Sequence, residues 1–179
     1  REFGRGTEYN IEGYPDRRLL DLLRAVRPDQ ATFVPDDPSQ ATSDHGWQIS
    51  ESRAHLSQAV AEAKTYGCRI SLFIDADPAA AEAAAEVGAD RVEIYTGPYG
   101  ATSAPAARAE RLAEIATAAQ AATAVGLAVN AGHDLTLDTL ADLKAAVPNL
   151  AEVSIGHALT ADALIYGFDQ TVRKYLACL

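Results

Sequence analysis

The chain has 179 residues, of which 48% are apolar and 22% are charged, and its formal net charge is −10. This composition is typical of a folded domain rather than of a disordered chain. The acidic excess disfavours general nucleic-acid binding, which requires clustered Lys and Arg. No apolar run approaches the ~20 residues that cross a bilayer. Two cysteines make no disulfide framework, so we expect a cytoplasmic protein without a membrane partner.

Six short apolar runs recur along the chain, each bounded by turn residues. Several are β-branched or aromatic in the middle, as in Ile70–Ile74. Runs of this length and composition are typical of strands in a parallel sheet that is buried on both faces. The predicted strands are Tyr9–Gly13, Ala31–Pro35, Arg69–Asp75, Arg91–Gly97, Gly126–Gly132 and Glu152–His157.

Amphipathic helical patterns lie between and after these runs. The first pattern has Pro15 suited to its first turn and a broad apolar side, formed by Leu19, Leu20, Leu22, Leu23 and Val26. Glycine follows two of the later patterns directly, which is a typical helix stop. The predicted helices are Asp16–Val26, Ser52–Tyr66, Ala79–Val87, Ala106–Val125, Leu137–Ala146 and Thr160–Leu179, the last with a break expected at Gly167.

Alternating strands and helices predict right-handed βαβ units and an α/β fold. No G-x-G-x-x-G follows any strand, so nothing favours a dinucleotide-binding sheet. A (β/α)8 TIM barrel takes about 250 residues, so six strands indicate such a barrel without its first two. The absence of methionine agrees with a missing N-terminal part. We therefore expect one incomplete barrel domain over residues 1–179.

Polar residues cluster at the carboxyl ends of the predicted strands. They are Glu12, Asp75, Glu93, His133, Gly156 and His157, with Thr42 in the loop after the second strand. In a (β/α) barrel these ends converge on the face that binds and converts substrates. Carboxylates and imidazoles that meet there can act as general acids and bases.

Each of these residues also has a structural interpretation. Asp75 and Asp77 precede Pro78, and Asp77 in particular is expected to cap a helix. Glu93 either points into the barrel or pairs with a cation outside it. From spacing alone, His133 is more often structural or idle than catalytic. Gly156 opens a helix, whose free N–H groups favour an anion, and the last two loops of a barrel often bind phosphate.

The sequence gives little support for a metal site, a cysteine nucleophile or a Schiff-base lysine. The four histidines lack paired metal spacing, and we expect His45 and His55 to be solvated. Neither Cys68 nor Cys178 has a nearby histidine that would activate it. A Schiff-base aldolase, the alternative phosphate-binding barrel enzyme, needs a lysine at a strand end, but the lysines lie in predicted helices.

Six segments in order resemble the pyridoxine 5′-phosphate synthase family across essentially the whole chain. They are Tyr9–Tyr14, Phe33–Pro35 with Ala41–Asp44, Ser71–Asp77, Gly88–Gly97, Gly126–His133 and Ser154–Ala158. The resemblance implies a cytoplasmic homo-octamer of barrels. It also implies condensation of 1-deoxy-D-xylulose 5-phosphate with 3-amino-2-oxopropyl phosphate to pyridoxine 5′-phosphate, phosphate and water, with no cofactor or metal.

The resemblance also assigns roles to individual residues. Glu12 matches an acid/base glutamate, His133 a proton donor and Glu93 a glutamate that stabilises a transition state. Substrate contacts match at Thr42, which faces the deoxyxylulose phosphate, and at Asp134, Gly156 and His157, which hold the aminoacetone phosphate. Asp134 stands where the family can have glycine, which implies contact through its backbone.

The family's first two strands carry an Asn/Asp/His cluster, a second catalytic histidine and phosphate-binding arginines, and this chain has none of those positions. We therefore expect the chain alone to be inactive. A further alternative is a non-catalytic assembly domain that binds phosphate. The missing strands favour this alternative slightly, and the acid and base residues at the strand ends disfavour it.

Overall fold

The computed structural model describes residues 6–36 and 42–179. Six strands form one sheet in chain order, and every neighbouring pair is parallel. The strands are β1 (Asn10–Gly13), β2 (Gln30–Phe33), β3 (Arg69–Ile74), β4 (Arg91–Tyr95), β5 (Ala128–Gly132) and β6 (Leu150–Ser154). The predicted α/β fold and all six strands are confirmed, with shifts at their ends.

The sheet curls into a half-barrel. In a flat sheet β2 and β6 would lie four strand spacings of about 4.8 Å apart, or roughly 19 Å. Yet Nε2 of Gln30 on β2 donates to the carboxylate of Glu152 on β6 at 3.2 Å. Among the described residues, β1 and β6 each pair with one neighbour only, so the curled sheet stays open between them.

Eight helices accompany the strands in the part of the chain that the structure describes, and none of them is long and apolar enough to cross a membrane. They are α1 (Arg17–Val26), α2 (Ile49–Lys64), α3 (Pro78–Glu86), α4 (Gly97–Ala101), α5 (Pro105–Ala124), α6 (Leu137–Ala146), α7 (His157–Tyr166) and α8 (Phe168–Leu176).

The final helical segment was predicted over Thr160–Leu179 with a break at Gly167, and this break is confirmed. The segment forms α7 and α8, and they are separated by Gly167, whose φ of +83° breaks the helix at the residue where the break was expected. Helix α7 also begins earlier than predicted, at His157. Helix α4 was not predicted, because five residues with two glycines and a proline have the composition of a turn.

Two expectations about α1 also need correction. Pro15 precedes the helix instead of occupying its first turn, and Asp16 is the cap, accepting from the backbone N–H of Leu19 at 2.8 Å. The apolar side is narrower than predicted. Leu19, Leu20 and Leu23 are buried, whereas Leu22 and Val26 are exposed.

The hydrophobic core lies between the sheet and its helices. The side chains that face the helices are alternate residues of each strand. They are fully buried on the inner strands, as with Ile70, Leu72 and Ile74 on β3, and partly buried at Ile11 on β1 and Val153 on β6. Buried alanines of α3 and α5 pack in this layer, which accounts for the alanine bias of the sequence. The residues between them face the hollow of the half-barrel, and many of these are polar.

Candidate active site

A cleft of about 670 Å³ opens at the carboxyl ends of the strands. It is lined by six of the seven residues that the sequence predicted: Glu12, Glu93, His133, Asp134, Gly156 and His157. Thr42 does not line the cleft. It is exposed and directly follows residues 37–41, which lie outside the described residues. The strand-end arrangement expected from the barrel pattern is therefore what brings the six together.

His133 sits directly after β5 in an uncommon backbone conformation. Its φ is +82° and that of Asp134 is +56°, values that residues other than glycine rarely adopt. The imidazole packs against Phe73 and Tyr95, with ring centroids 5.2 Å and 5.4 Å away. Burial lowers the pKa of His133, and the nearby Asp134 carboxylate opposes this only in part. The ring is therefore mostly neutral at pH 7.

Glu93 points into the hollow, which resolves the question that the sequence left open. Its side chain is only 2% exposed, and its Oε2 has no hydrogen-bond partner. Burial raises the pKa of Glu93 to about 8, and repulsion from Glu12 adds to the effect. This carboxyl group is therefore protonated at neutral pH and can donate a hydrogen bond.

Gly132 makes room for that carboxyl group. A Cβ at position 132 would lie 2.1 Å from Oε1 of Glu93 and 3.1 Å from Cβ of Ser154. Only glycine lets the Glu93 side chain lie across β5. The glycine of the Asn130–His133 segment is thus explained by a neighbouring strand, and its own φ is not positive.

Glu12 lies on β1 at the open side of the half-barrel. The residue is exposed to solvent, but its carboxylate lies among the protein atoms that line the cleft. This partial burial, followed by repulsion from Glu152, raises the pKa of Glu12. Nδ2 of Asn10 donates to Oε1 of Glu12 at 3.2 Å and partly offsets the rise.

A polar network, which the sequence did not predict, lies below the cleft. Nη1 of Arg91 donates to Glu152 at 3.1 Å and to Oδ1 of Asn130 at 3.3 Å. Gln30 and Arg69 extend the network toward β2 and β3. Charged residues at alternate positions of apolar strands were the available signal. Their pairing depends on the curl of the sheet, which no single strand encodes.

The N-terminus of α7 forms one wall of the cleft. Gly156 is its N-cap and has no side chain to bond the first N–H groups, and His157 is its first residue. Exposed N–H groups at a helix N-terminus favour an anion. The predicted anion contact at Gly156 and His157 stays a prediction with suitable geometry.

The other reactive residues lie outside this cleft. Among the described residues, no group of three or more His, Cys, Asp or Glu side chains is arranged to hold a metal ion. Asp77 caps α3 as predicted, and Asp75 accepts from the N–H of Gly46 instead. His45 contacts Asp44, and His55 stacks on Tyr14.

Both cysteines are free thiols. The three lysines, Lys64, Lys144 and Lys174, all lie on helices, so no lysine stands at a strand end where a Schiff base would form.

These features define the structural class of the protein. A curled parallel sheet with helices outside it and acid–base groups at its carboxyl edge is the pattern of (β/α)-barrel proteins. Solved structures agree on the fold. The chain superposes on a mutant tryptophan synthase α-subunit from Pyrococcus furiosus with a TM-score of 0.61 at 12% identity, covering 94% of this chain and 65% of that one. Thiamine phosphate pyrophosphorylase from the same organism gives 0.59 at 16% identity, covering 96% and 67%. Identities this low show the fold alone.

Sequence comparison is more specific. The sequence profile described as pyridoxal phosphate biosynthesis protein PdxJ matches residues 3–179. Pyridoxine 5′-phosphate synthases from Brucella anthropi and Brucella abortus (strain S19) are 56% and 57% identical over 174 residues, which is 97% of this chain and 71% of each relative. The chain belongs to the PdxJ family of pyridoxal phosphate biosynthesis proteins.

Proposed function

We propose that this chain forms the larger part of a pyridoxine 5′-phosphate synthase. The reaction joins 1-deoxy-D-xylulose 5-phosphate to 3-amino-2-oxopropyl phosphate and releases phosphate and water. The observation that carries the proposal is the shared cleft, which is lined by the three residues to which the family pattern gives catalytic roles, Glu12, Glu93 and His133. The curated names of the Brucella relatives support the same activity.

Glu12 and His133 suit the repeated proton transfers of Schiff-base formation, dehydration and ring closure. Partial burial raises the pKa of Glu12, which makes its carboxylate a stronger base. His133 is mostly neutral at pH 7, because burial lowers its pKa. A neutral imidazole accepts a proton at one nitrogen and carries an N–H at the other, so it can act in both directions.

Glu93 has a different role. Because it is protonated at neutral pH, it donates a hydrogen bond from inside a buried hollow. Such a donor stabilises negative charge that develops on a substrate oxygen in the transition state. The Oε2 atom without a partner is the one we assign to this contact.

The substrate phosphates are held by loops and not by a metal or cofactor. Gly156 and His157 would hold the aminoacetone phosphate at the N-terminus of α7, together with the backbone of Asp134. Thr42 would contact the deoxyxylulose phosphate. Anchoring both substrates lowers the entropy cost of joining their reacting ends.

The chain spans 71% of the length of its Brucella relatives, and its sheet is open between β1 and β6. We propose that a further βαβα segment closes the barrel there and completes the site, so that the 179-residue chain alone is inactive. The family resemblance implies a cytoplasmic homo-octamer, and such an assembly would cover exposed apolar side chains on α7 and α8, among them Leu164, Ile165 and Phe168. Light scattering of the complete gene product measures its size.

The decisive assay mixes both substrates with the purified complete gene product and, in parallel, with the 179-residue chain. Product is identified by mass. We expect pyridoxine 5′-phosphate from the complete protein and none from the chain alone. In the complete protein, the substitution His133→Asn should abolish turnover and leave phosphate binding intact. Product from the isolated chain would refute the incomplete site, and normal turnover of His133→Asn would refute the proton role.

The open sheet favours one alternative, an assembly domain that binds phosphate without turnover. Calorimetry on the complete protein separates the two functions. Binding of both substrates without any product would favour the assembly domain, and binding with product formation would exclude it.

A further inference from the structure

We propose that Thr96 is a positioning residue that fixes His133 in its reactive orientation. The inference rests on the proposed role of His133 in proton transfer. Thr96 directly follows β4 and is completely buried. It does not line the cleft among the described residues, so it acts through His133 and not on the substrate.

The Thr96 hydroxyl contacts two consecutive carbonyl oxygens. Its Oγ1 lies 2.6 Å from the oxygen of Gly132 and 2.6 Å from that of His133. A hydroxyl has one proton to donate, so the two bonds share it. The backbone N–H of Thr96 also donates to the carbonyl oxygen of Gly132 at 2.8 Å. Three contacts from one residue therefore hold the peptide units on both sides of the His133 α-carbon.

This use of the hydroxyl is unusual for the position. Thr96 is the N-cap of α4, where threonine normally bonds an N–H of the first helical turn. Here its side chain makes no capping bond. Its hydroxyl bonds the loop after β5 and makes no hydrogen bond to α4. The sequence placed Thr96 near the end of a predicted strand, and in the structure its hydroxyl bonds the loop that carries His133.

The loop needs such a restraint because His133 and Asp134 both adopt positive φ. Left-handed conformations are unfavourable for these residues and persist only when the surroundings hold them. On its other side the loop packs closely against Gly100. A Cβ at position 100 would lie 2.3 Å from the carbonyl oxygen of Asp134, so only glycine leaves room for the loop there. If the backbone relaxed, the imidazole would leave its contacts with Phe73 and Tyr95.

The test compares Thr96→Val, which keeps the shape and removes the hydroxyl, with Thr96→Ser, which keeps the hydroxyl. Both are made in the complete gene product. We expect Thr96→Val to lower kcat about 10- to 100-fold, as a displaced catalytic group does, with KM for either substrate within about twofold. Thr96→Ser should restore most of kcat.

A second readout is the pKa of His133, measured by NMR and assigned through the signal that His133→Asn removes. Burial lowers this pKa, so Thr96→Val should raise it and shift the pH profile of kcat. Thr171→Val is the matched control. Thr171 is also fully buried, but its hydroxyl has no partner and lies outside the cleft, so neither readout should move.

The outcomes separate the two proposals. An unchanged His133 pKa and pH profile in Thr96→Val would overturn the positioning role, even if the variant melts earlier. Full activity of His133→Asn would instead overturn the proton role and, with it, the catalytic consequence of Thr96. Should Thr96→Val not fold, Thr96→Ala removes the same hydroxyl without placing a methyl group beside the two carbonyl oxygens, and an unchanged His133 pKa there would equally overturn the proposal.

Discussion

The two faces of the sheet are built on opposite principles, although the same strands form both. On β3, Leu72 faces the helices and is completely buried in apolar contacts. Its neighbour Ser71 faces the hollow, is equally buried, and its hydroxyl has no partner. The same contrast holds on β4 between Ile94 and Glu93. On the strands that the structure describes, the buried side-chain atoms without partners belong to Ser71, Glu93 and Asn130, and all three side chains lie on the inner face.

This difference separates stability from function along each strand. A buried apolar side chain is satisfied by packing alone. A buried polar atom without a partner reduces stability, and such atoms persist mainly at functional sites. The outer face thus holds the fold, and the inner face keeps polar atoms that are free to bind a ligand. Four predictions test the comparison.

The largest effect should come from the outer face. Leu72→Ala is expected to lower the free energy of unfolding of the 179-residue chain by about 2–5 kcal/mol, because it leaves a cavity in a close-packed layer. Ser71→Ala, one residue away, should change it by less than about 0.5 kcal/mol, because that hydroxyl makes no bond to lose. Urea denaturation measures both. Equal losses would mean that the two faces do not differ.

On the inner face, packing around Gly132 is as tight as packing on the outer face. Gly132→Ala is expected to cost about 1–3 kcal/mol of stability through overpacking, since the new Cβ meets Oε1 of Glu93 at 2.1 Å. It should also displace Glu93 and lower turnover of the complete protein. Gly13→Ala is the control on β1, where a Cβ would meet Leu19 at an ordinary 3.4 Å.

A double-mutant cycle makes the Gly132 test specific. In a Glu93→Ala background, Gly132→Ala should have little further effect on stability, because the clashing oxygen is gone. Additive losses in that background would show that the alanine acts elsewhere.

Glu93 itself should control a pH dependence. Its pKa is about 8 in the folded chain, against about 4.3 when unfolded. Between these values the folded state binds the extra proton, so the free energy of unfolding falls as pH rises, by at most about 1.4 kcal/mol per pH unit. Glu93→Gln removes this loss. The stability gained by the variant should therefore grow from pH 5 to pH 8 and then level off.

Urea denaturation at several pH values measures this difference. Glu110→Gln, on the exposed side of α5, is the control that removes one charge without touching the hollow. A gain for Glu93→Gln that stays constant with pH would contradict protonation of the native carboxyl group.

The sequence predicted the strands and most of the helices. It also predicted seven site residues, and six of them line one cleft. It did so because apolar runs, glycine stops and strand-end polar residues are local signals. It did not predict that Glu93 lies over Gly132 or that Arg91 bonds Glu152, because these contacts depend on strand register and on the curl of the sheet. The role of Thr96 was missed for another reason. Its segment has the pattern of a strand end, and a lone threonine there carries no signal for a contact with the loop after β5.

The smallest effect should come from α7, which has no buried residue. Leu164 is 87% exposed, so Leu164→Ser should change the stability of the 179-residue chain by less than about 0.5 kcal/mol. The same change at Leu140, which is fully buried on α6, should cost several times more. In the complete gene product, a loss of stability or of assembly size with Leu164→Ser would show that this face is covered there. No change in either would mean that this face of α7 stays solvated in the complete protein.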